Sequence, residues 1–411
     1  MNQDFESNFF AGNRQRLLGG SGAELIVLTA NGLLQRSADT TFAFRQDSNF
    51  WYLTGIEEPD FLLVITPEET FLIAPSRPDQ RDMWDGAVDK KQLQDISGIN
   101  LVLDHHAGWT KLDMLLKKFK KVHTITPAEA YFERFGFYAN PARATLLTAL
   151  KKHRSLELVD IRKVIASMRQ IKQGPELQAI KEAIEITAKS IEKVLRKVRT
   201  YKYEHQITAD ITAEFLRLGA TGHAYLPIVA TGDNATTLHY VNSQSRINKT
   251  DLILIDVGAE VNNYSADISR TFAVTKPSAR QCAVHKAVLS VQASALKLLK
   301  PGVVMKEYEQ AVDKLMAKEL LSLGLLEDVD DQTKLKKYFP HLASHFLGLD
   351  THDSADYDLP LLPGMVLTVE PGIYIPEENL GVRIEDNVLI TEKGNEVLSA
   401  SLSSSLFRHT I

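Results

Sequence analysis

Two apolar stretches of this chain carry carboxylates where a folded interior tolerates them least. LILIDVGAEVNNYSADISRTFAV (252–274) holds Asp256 and Asp267, and VLTVEPGIYIPEENLGVRIEDNVLI (366–390) holds Glu370 and Glu385. An ionised carboxylate is disfavoured in a low-dielectric interior unless another charge compensates it. Such strands must therefore either lie at an edge or bring their acids to a common counter-charge. Asp256 and Asp267 are an odd number of residues apart and would face opposite sides of one continuous strand. A hairpin turning at Asn262-Asn263, where asparagine tolerates positive φ, reverses that. Asp267 then falls opposite Gly258, which shares a face with Asp256, and the two carboxylates become diagonal neighbours at roughly 7–8 Å. A loop centred on Glu377-Glu378 likewise sets Glu370 opposite Glu385. Solvated edge strands account for either pair alone; two such hairpins in one chain are hard to explain that way.

Four converging carboxylates repel, and two divalent cations would neutralise their formal charge. HLASHFLGLDTH (341–352) supplies three histidines, His341, His345 and His352. The window alone does not say which is ligand, catalyst or packing. One of them would complete a hard, oxygen-rich set suited to Mn²⁺ more than to a thiolate-seeking metal, and the pattern predicts a two-metal hydrolytic site.

The rest of the chain frames that site. AELIVLT (23–29) reads as a strand, and FLLVITPEETFLIAP (61–75) as a hairpin around Pro67-Glu68-Glu69. WTKLDMLLKKFKKV (109–122) is amphipathic and predicts a helix, with a short strand at HTIT and the lysines 117, 118, 120 and 121 on its solvated face. Asp104-His105-His106 has no nearby residues to complete a metal set and reads as loop. QIKQGPELQ marks a boundary, with Pro175 placed for the first turn of a new helix. Leu177, Ile180, Ile184, Ala188, Ile191, Leu195 and Val198 then form its core-facing stripe. LILIDVG and VLTVEPG both run apolar into acid-x-Gly, which hints at duplicated halves. The expected organisation is α/β (α+β), with an N-terminal α/β domain over 1–165 and a catalytic domain over 172–411. The net charge of -5 leaves no electrostatic footprint for nucleic acid or an anionic membrane. One cysteine, Cys282, fits a reducing compartment. No run approaches the ~18 apolar residues of a membrane span and the first residues lack an export signal, so the expectation is cytoplasmic.

The ordered segments TLHY at His239, IDVGAEVNNYSADISRTF, SHFLGLDTHD, PGMVLTVEPGIYI and GVRIED, with FRQDSNFWYLTG (44–55) upstream, resemble the pita-bread metallopeptidases specific for proline, most closely the Xaa-Pro aminopeptidases (aminopeptidase P). The resemblance implies that Asp256 chelates one metal, that Asp267 and Glu385 bridge two, and that His345 and Glu370 hold the second. It implies that Glu370 is the base toward water, that His239 and His352 bind substrate and stabilise the intermediate, and that His341, Arg383 and Tyr374 line the substrate pocket. It further implies two divalent ions, most suitably Mn²⁺, peptide substrates with proline at position two, and a homodimer or homotetramer in which Trp84 reaches a neighbour's site.

Three alternatives stand beside it: a prolidase cleaving Xaa-Pro dipeptides, a catalytically inactive peptide-binding relative, and a mononuclear iron oxygenase. The inactive relative would have lost ligands, and the oxygenase would want two histidines to one carboxylate. Two departures bear on the choice. Leu342 follows the first histidine where the family pattern has glycine, and the stretch from Tyr374 to Gly381 is short, closer to some prolidases.

Overall fold

The structure is a computed structural model and describes residues 5–78, 80–126, 136 and 138–407. Its contacts divide the chain into one unit up to Met168 and another from Arg169 onward. The first unit is built on a six-stranded mixed sheet in the order Leu101–Leu103, Thr70–Ile73, Leu62–Ile65, Ile26–Thr29, Lys121–Thr124, Glu157–Asp160. The hairpin closes where Ile65 pairs with Thr70 and the Thr66 amide donates to the Glu69 carbonyl. FRQDSNFWYLTG folds as the buried helix Ser48–Thr54, capped by the Asp47 carboxylate at one end and by Gly55, at φ 69°, at the other.

The amphipathic helix runs over His105–Lys118, earlier than its periodicity predicts. Asp104 caps it by accepting from the Ala107 amide at 2.9 Å, so Asp104-His105 opens a helix and is not loop. Lys121 and Val122 belong to the Lys121–Thr124 strand, which lies between two parallel neighbours. Pairing on both sides outweighs a helical pattern that runs on through 122.

The second unit opens with the helix Gly174–Leu195, Pro175 in its first turn and Glu176 accepting from the Gln173 amide at 2.9 Å. Ile180, Ile184, Ala188 and Ile191 are buried, whereas Leu177 and Leu195 are half-buried and Val198 lies beyond the helix.

The two acid-bearing segments are hairpins. In the first, Leu252–Val257 pairs antiparallel with Ile268–Ala273, ending at Val257 opposite Ile268; beyond it Val261 pairs with Tyr264 around Asn262 and Asn263, at φ 50° and 66°. Both ladders index to the register that sets Gly258 opposite Asp267. In the second hairpin Val369 pairs with Asp386 and Gly372 with Arg383, the register that sets Glu370 opposite Glu385. Each ladder breaks at its acids: Gly258, Ala266–Asp267, Glu370–Pro371 and Ile384–Glu385 lie outside the strands, and the segments on either side belong to different sheets. Pro371, with no N–H to offer, is one cause of the second break. The helices Ala279–Leu298 and Met305–Ser322 pack behind the second hairpin, with Val288, Val312, Leu367, Val382 and Val388 in one core.

Candidate metal centre

The hairpins meet where the Glu385 amide donates to the Ser269 carbonyl at 3.0 Å, and the buried Arg270 guanidinium ties Ser269 and Glu385 carbonyls to the Asp386 carboxylate. Asp267, His345 and Glu385 consequently offer ligand atoms that all lie within 4.8 Å of one another. Asp256 joins them through Tyr225, whose hydroxyl lies 2.5 Å from Asp256 Oδ1 and 2.6 Å from Asp267 Oδ1. Glu370 joins them through His345, whose Nε2 is 3.4 Å from both Asp267 Oδ2 and Glu370 Oε1.

The histidine window is held against the Val366–Val369 strand: the Thr368 amide donates to the His345 carbonyl, the His345 amide to the Thr368 hydroxyl, and the Glu370 amide to the Ala343 carbonyl. His352 stacks edge-on over His345, ring centroids 4.3 Å apart, with its outer side open to solvent. His341 approaches from another side, its Nδ1 3.7 Å from Glu370 Oε2. Arg383 Nη1 donates to the Tyr374 hydroxyl at 2.8 Å, and that hydroxyl lies 2.8 Å from His341 Nε2. Because the Leu342 carbonyl only accepts, His341 Nδ1 carries the proton toward it at 2.7 Å, and Nε2 of the neutral ring accepts from the Tyr374 hydroxyl. His341 is thereby locked as the neutral tautomer, consistent with burial and the Arg383 charge lowering its pKa to about 3. Leu342 puts only its carbonyl to use here; its side chain is exposed.

Burial raises Asp256, Glu370 and Glu385 above the ordinary carboxylate range, Glu370 to about 7, and at Glu385 the neighbouring acids add to the effect. Burial pushes Asp267 the same way, but His345 and Tyr225 bring it below its usual value. Burial opposes the charged form of His345, yet Asp267 and Glu370 raise its pKa to about 9. Burial thus disfavours the charged forms of three of these carboxylates unless a further cation compensates them, and Arg383 pairs directly with only one of the four, Asp256. His345 Nδ1 lies 3.1 Å from the Phe346 carbonyl, an acceptor only. That contact fixes a proton on Nδ1 and leaves Nε2 facing the acids, the atom that would ligate a cation. An oxygen-rich donor set with one imidazole fits divalent cations, which would supply the compensating charge.

The structure thus gathers Asp256, Asp267, His345, Glu370 and Glu385, with Arg383, Tyr374 and His341 along one side and His352 at the mouth. His239 touches none of the acids; it is exposed, near enough for its charge to act on His352. Sequence reasoning missed Tyr225, Ser269 and Thr368. Ser269 was accessible to it, two residues beyond Asp267 on the same face; its hydroxyl donates to Glu385 at 2.7 Å and accepts from Arg383 Nε at 2.8 Å. Tyr225, in a loop far from the hairpins in sequence, gave no signal.

Residues 178–392 match Metallopeptidase family M24, and residues 10–124 match the Aminopeptidase P, N-terminal domain. The Xaa-Pro aminopeptidase of Escherichia coli (strain K12) is 34% identical over 392 residues, spanning 89% of this chain and 88% of that one. Xaa-Pro aminopeptidase 3 of Homo sapiens is 31% identical over 413 residues, spanning 93% and 79%. Among solved structures, Zn-substituted E. coli aminopeptidase P in complex with product matches with a TM-score of 0.87 at 32% identity, covering 98% of this chain and 96% of that one. Proline aminopeptidase P II from Yersinia pestis matches at 0.85 and 32%, covering 97% of each. Fold and site together are those of a metallopeptidase with a pita-bread catalytic unit. The chain belongs to metallopeptidase family M24 and carries the aminopeptidase P N-terminal domain ahead of the catalytic one.

Proposed function

We propose that the protein is an aminopeptidase that hydrolyses the first peptide bond of chains with proline at position two, using two divalent ions, most suitably Mn²⁺. The observation that carries this reading is the convergence of Asp267, His345 and Glu385 within 4.8 Å, flanked by Asp256 and Glu370, in a chain similar to Xaa-Pro aminopeptidases over nearly its whole length. Asp256, Asp267 and Glu385 would hold one ion, and Asp267, Glu385, His345 and Glu370 the other. When bound, the pair supplies charge neutralisation, polarisation of the scissile carbonyl and a lowered pKa for the attacking water.

The chain's own residues do the rest. Glu370, steadied by Thr368, takes the proton from the attacking water and returns it to the proline nitrogen as the bond breaks. His352 donates to the oxygen on which charge develops, and His239 holds the substrate from the opposite wall. Proline offers no amide hydrogen and a fixed ring, so selectivity rests on shape. The neutral His341 ring and the Tyr374 ring, 5.5 Å apart and edge-on, form such a wall, with Arg383 holding Tyr374 in place. We place the protein in the cytoplasm as a homodimer or homotetramer, a state favoured by the exposed Met83 and Trp84 (86% and 84%), and no described helix is long and apolar enough to cross a membrane.

The test compares Xaa-Pro-Xaa, Xaa-Pro and Xaa-Ala-Xaa peptides on Mn²⁺-reloaded protein, with metal analysis alongside. The expected order of kcat/KM is tripeptide above dipeptide, with little cleavage of the alanine peptide and two ions per chain. A dipeptide preference would make the protein a prolidase, equal cleavage of the alanine peptide would remove proline specificity, and one ion with full activity would remove the dinuclear site.

A further inference from the structure

We propose that Glu204 is a positioning residue that holds the loop carrying His239 in its working place. The proposal rests on the reading of His239 as a substrate-holding group. Glu204 is the first residue of the helix Glu204–Arg217 and is 0% exposed. Among the described residues no lysine, arginine or histidine forms an ion pair with it, so a buried carboxylate is kept without a counter-cation. Two things compensate it: the positive end of its own helix, and five donors. Oε1 accepts from the Thr231 amide and hydroxyl, both at 2.8 Å, and from the Asn234 side chain at 3.0 Å. Oε2 accepts from the Tyr240 hydroxyl at 2.8 Å and the Ser245 amide at 2.9 Å. The Glu204 amide donates in turn to the Ser245 carbonyl at 3.1 Å.

These partners bracket His239. Residues 237–245 form no helix or strand, so no ladder holds this stretch in register. One side chain ties it at Thr231 and Asn234 before the histidine and at Tyr240 and Ser245 after it. The residues adjoining His239, Leu238 and Tyr240, pack against the apolar cluster that contains Leu254 and Tyr374, so the clamp presses both flanks of His239 onto the wall of the site. A neutral residue would suffice to fill the space. A carboxylate is needed because the site presents donors to both oxygens.

Glu204→Gln is nearly isosteric and defeats the clamp either way round. Each oxygen receives a main-chain N–H, from Thr231 or from Ser245, and a main-chain N–H cannot accept; whichever way the amide turns, its NH₂ confronts one of them. On the Mn²⁺-loaded full chain, amide hydrogen exchange in 231–245 should accelerate in E204Q while the 252–273 ladder stays protected and the metal content is unchanged. kcat/KM on an Xaa-Pro-Xaa peptide should fall between about 10- and 100-fold, the cost of misplacing a substrate-orienting group. In a His239→Ala background the same substitution should cost less than about twofold more, because residues acting as a unit are not additive. A merely structural role would give the same loss in both backgrounds, and that result, or unchanged exchange in 231–245, overturns the proposal. Should E204Q not accumulate as folded protein, Tyr240→Phe removes one of the five donors and must move both readouts the same way, by less. If the wild-type chain does not cleave Xaa-Pro peptides, the functional reading fails, and the exchange measurement by itself upholds or overturns the clamp.

Discussion

Gly258 is where the first hairpin is most sensitive to one added carbon. A Cβ built there would lie 1.7 Å from the Ala266 carbonyl oxygen, 2.6 Å from its carbon and 3.0 Å from the Tyr225 ring. Close carbon–oxygen contacts sit at roughly 3.3 Å, so in Gly258→Ala the opposing strand must retreat by roughly 1.5 Å. The backbone torsions of Gly258 lie outside the left-handed region, so the effect is purely steric. Ala266 directly precedes Asp267, and Tyr225 touches both aspartates, so the retreat is transmitted to the acids. Overpacking of this kind costs about 1–3 kcal/mol of stability, which a unit of this size survives. A misplacement of about 1 Å at reacting groups costs on the order of 100-fold in rate. We therefore expect G258A to fold, to bind Mn²⁺ more weakly by calorimetric titration, and to lose about 100-fold in kcat/KM. Wild-type affinity and turnover within twofold in a folded G258A protein would refute the view that this hairpin's spacing sets the site.

The two histidines of the window should separate by metal content. His352→Ala is expected to keep its ions and lose about 10²–10³ in kcat, whereas His345→Ala should lose an ion as well; a fully active H352A enzyme would contradict the assignment. On the helix Ala279–Leu298, His285 is 5% exposed, its Nε2 has no partner among the described residues, and burial lowers its pKa to about 4. With the folded value below the unfolded one of about 6.5, the unfolded state takes up the proton first. The contribution of His285 is intact above pH 6.5 and declines by up to about 3 kcal/mol as pH falls toward 4. Urea unfolding of wild type and His285→Gln should therefore diverge in pH dependence across that window only, and parallel curves would contradict the sign.

Much of the hairpin geometry was legible because it is local. Asn262-Asn263 set the turn, the two-residue period of a strand propagated it, and the Asp267–Gly258 register followed by counting. The Glu370–Glu385 register followed in the same way from the loop at Glu377-Glu378. Counting failed where two local preferences competed: the periodicity of 109–122 ran past Lys118 because Phe119 and Val122 set among lysines suit a helix face as well as a strand, and neighbouring strands decided between them. It also could not foresee that both ladders would break at their acids, since a break depends on which sheet each half joins.

By itself the sequence pointed to four carboxylates paired on two hairpins, because two apolar acid-bearing runs are hard to explain as solvated edges and the turns with the strand period set their register. Only the tertiary structure decided what those pairs would meet. His345, drawn to Asp267 and Glu370, and Tyr225, lodged between the aspartates, arrive from segments with no periodic relation to the hairpins. His341 and His352, close to His345 in the chain, part company because one turns to Tyr374 and Arg383 and the other to the open mouth. Side-chain roles of that kind are set by which groups share a low-dielectric space, where a charge or proton is held by its nearest partner, and that neighbourhood is established by packing and not by order along the chain.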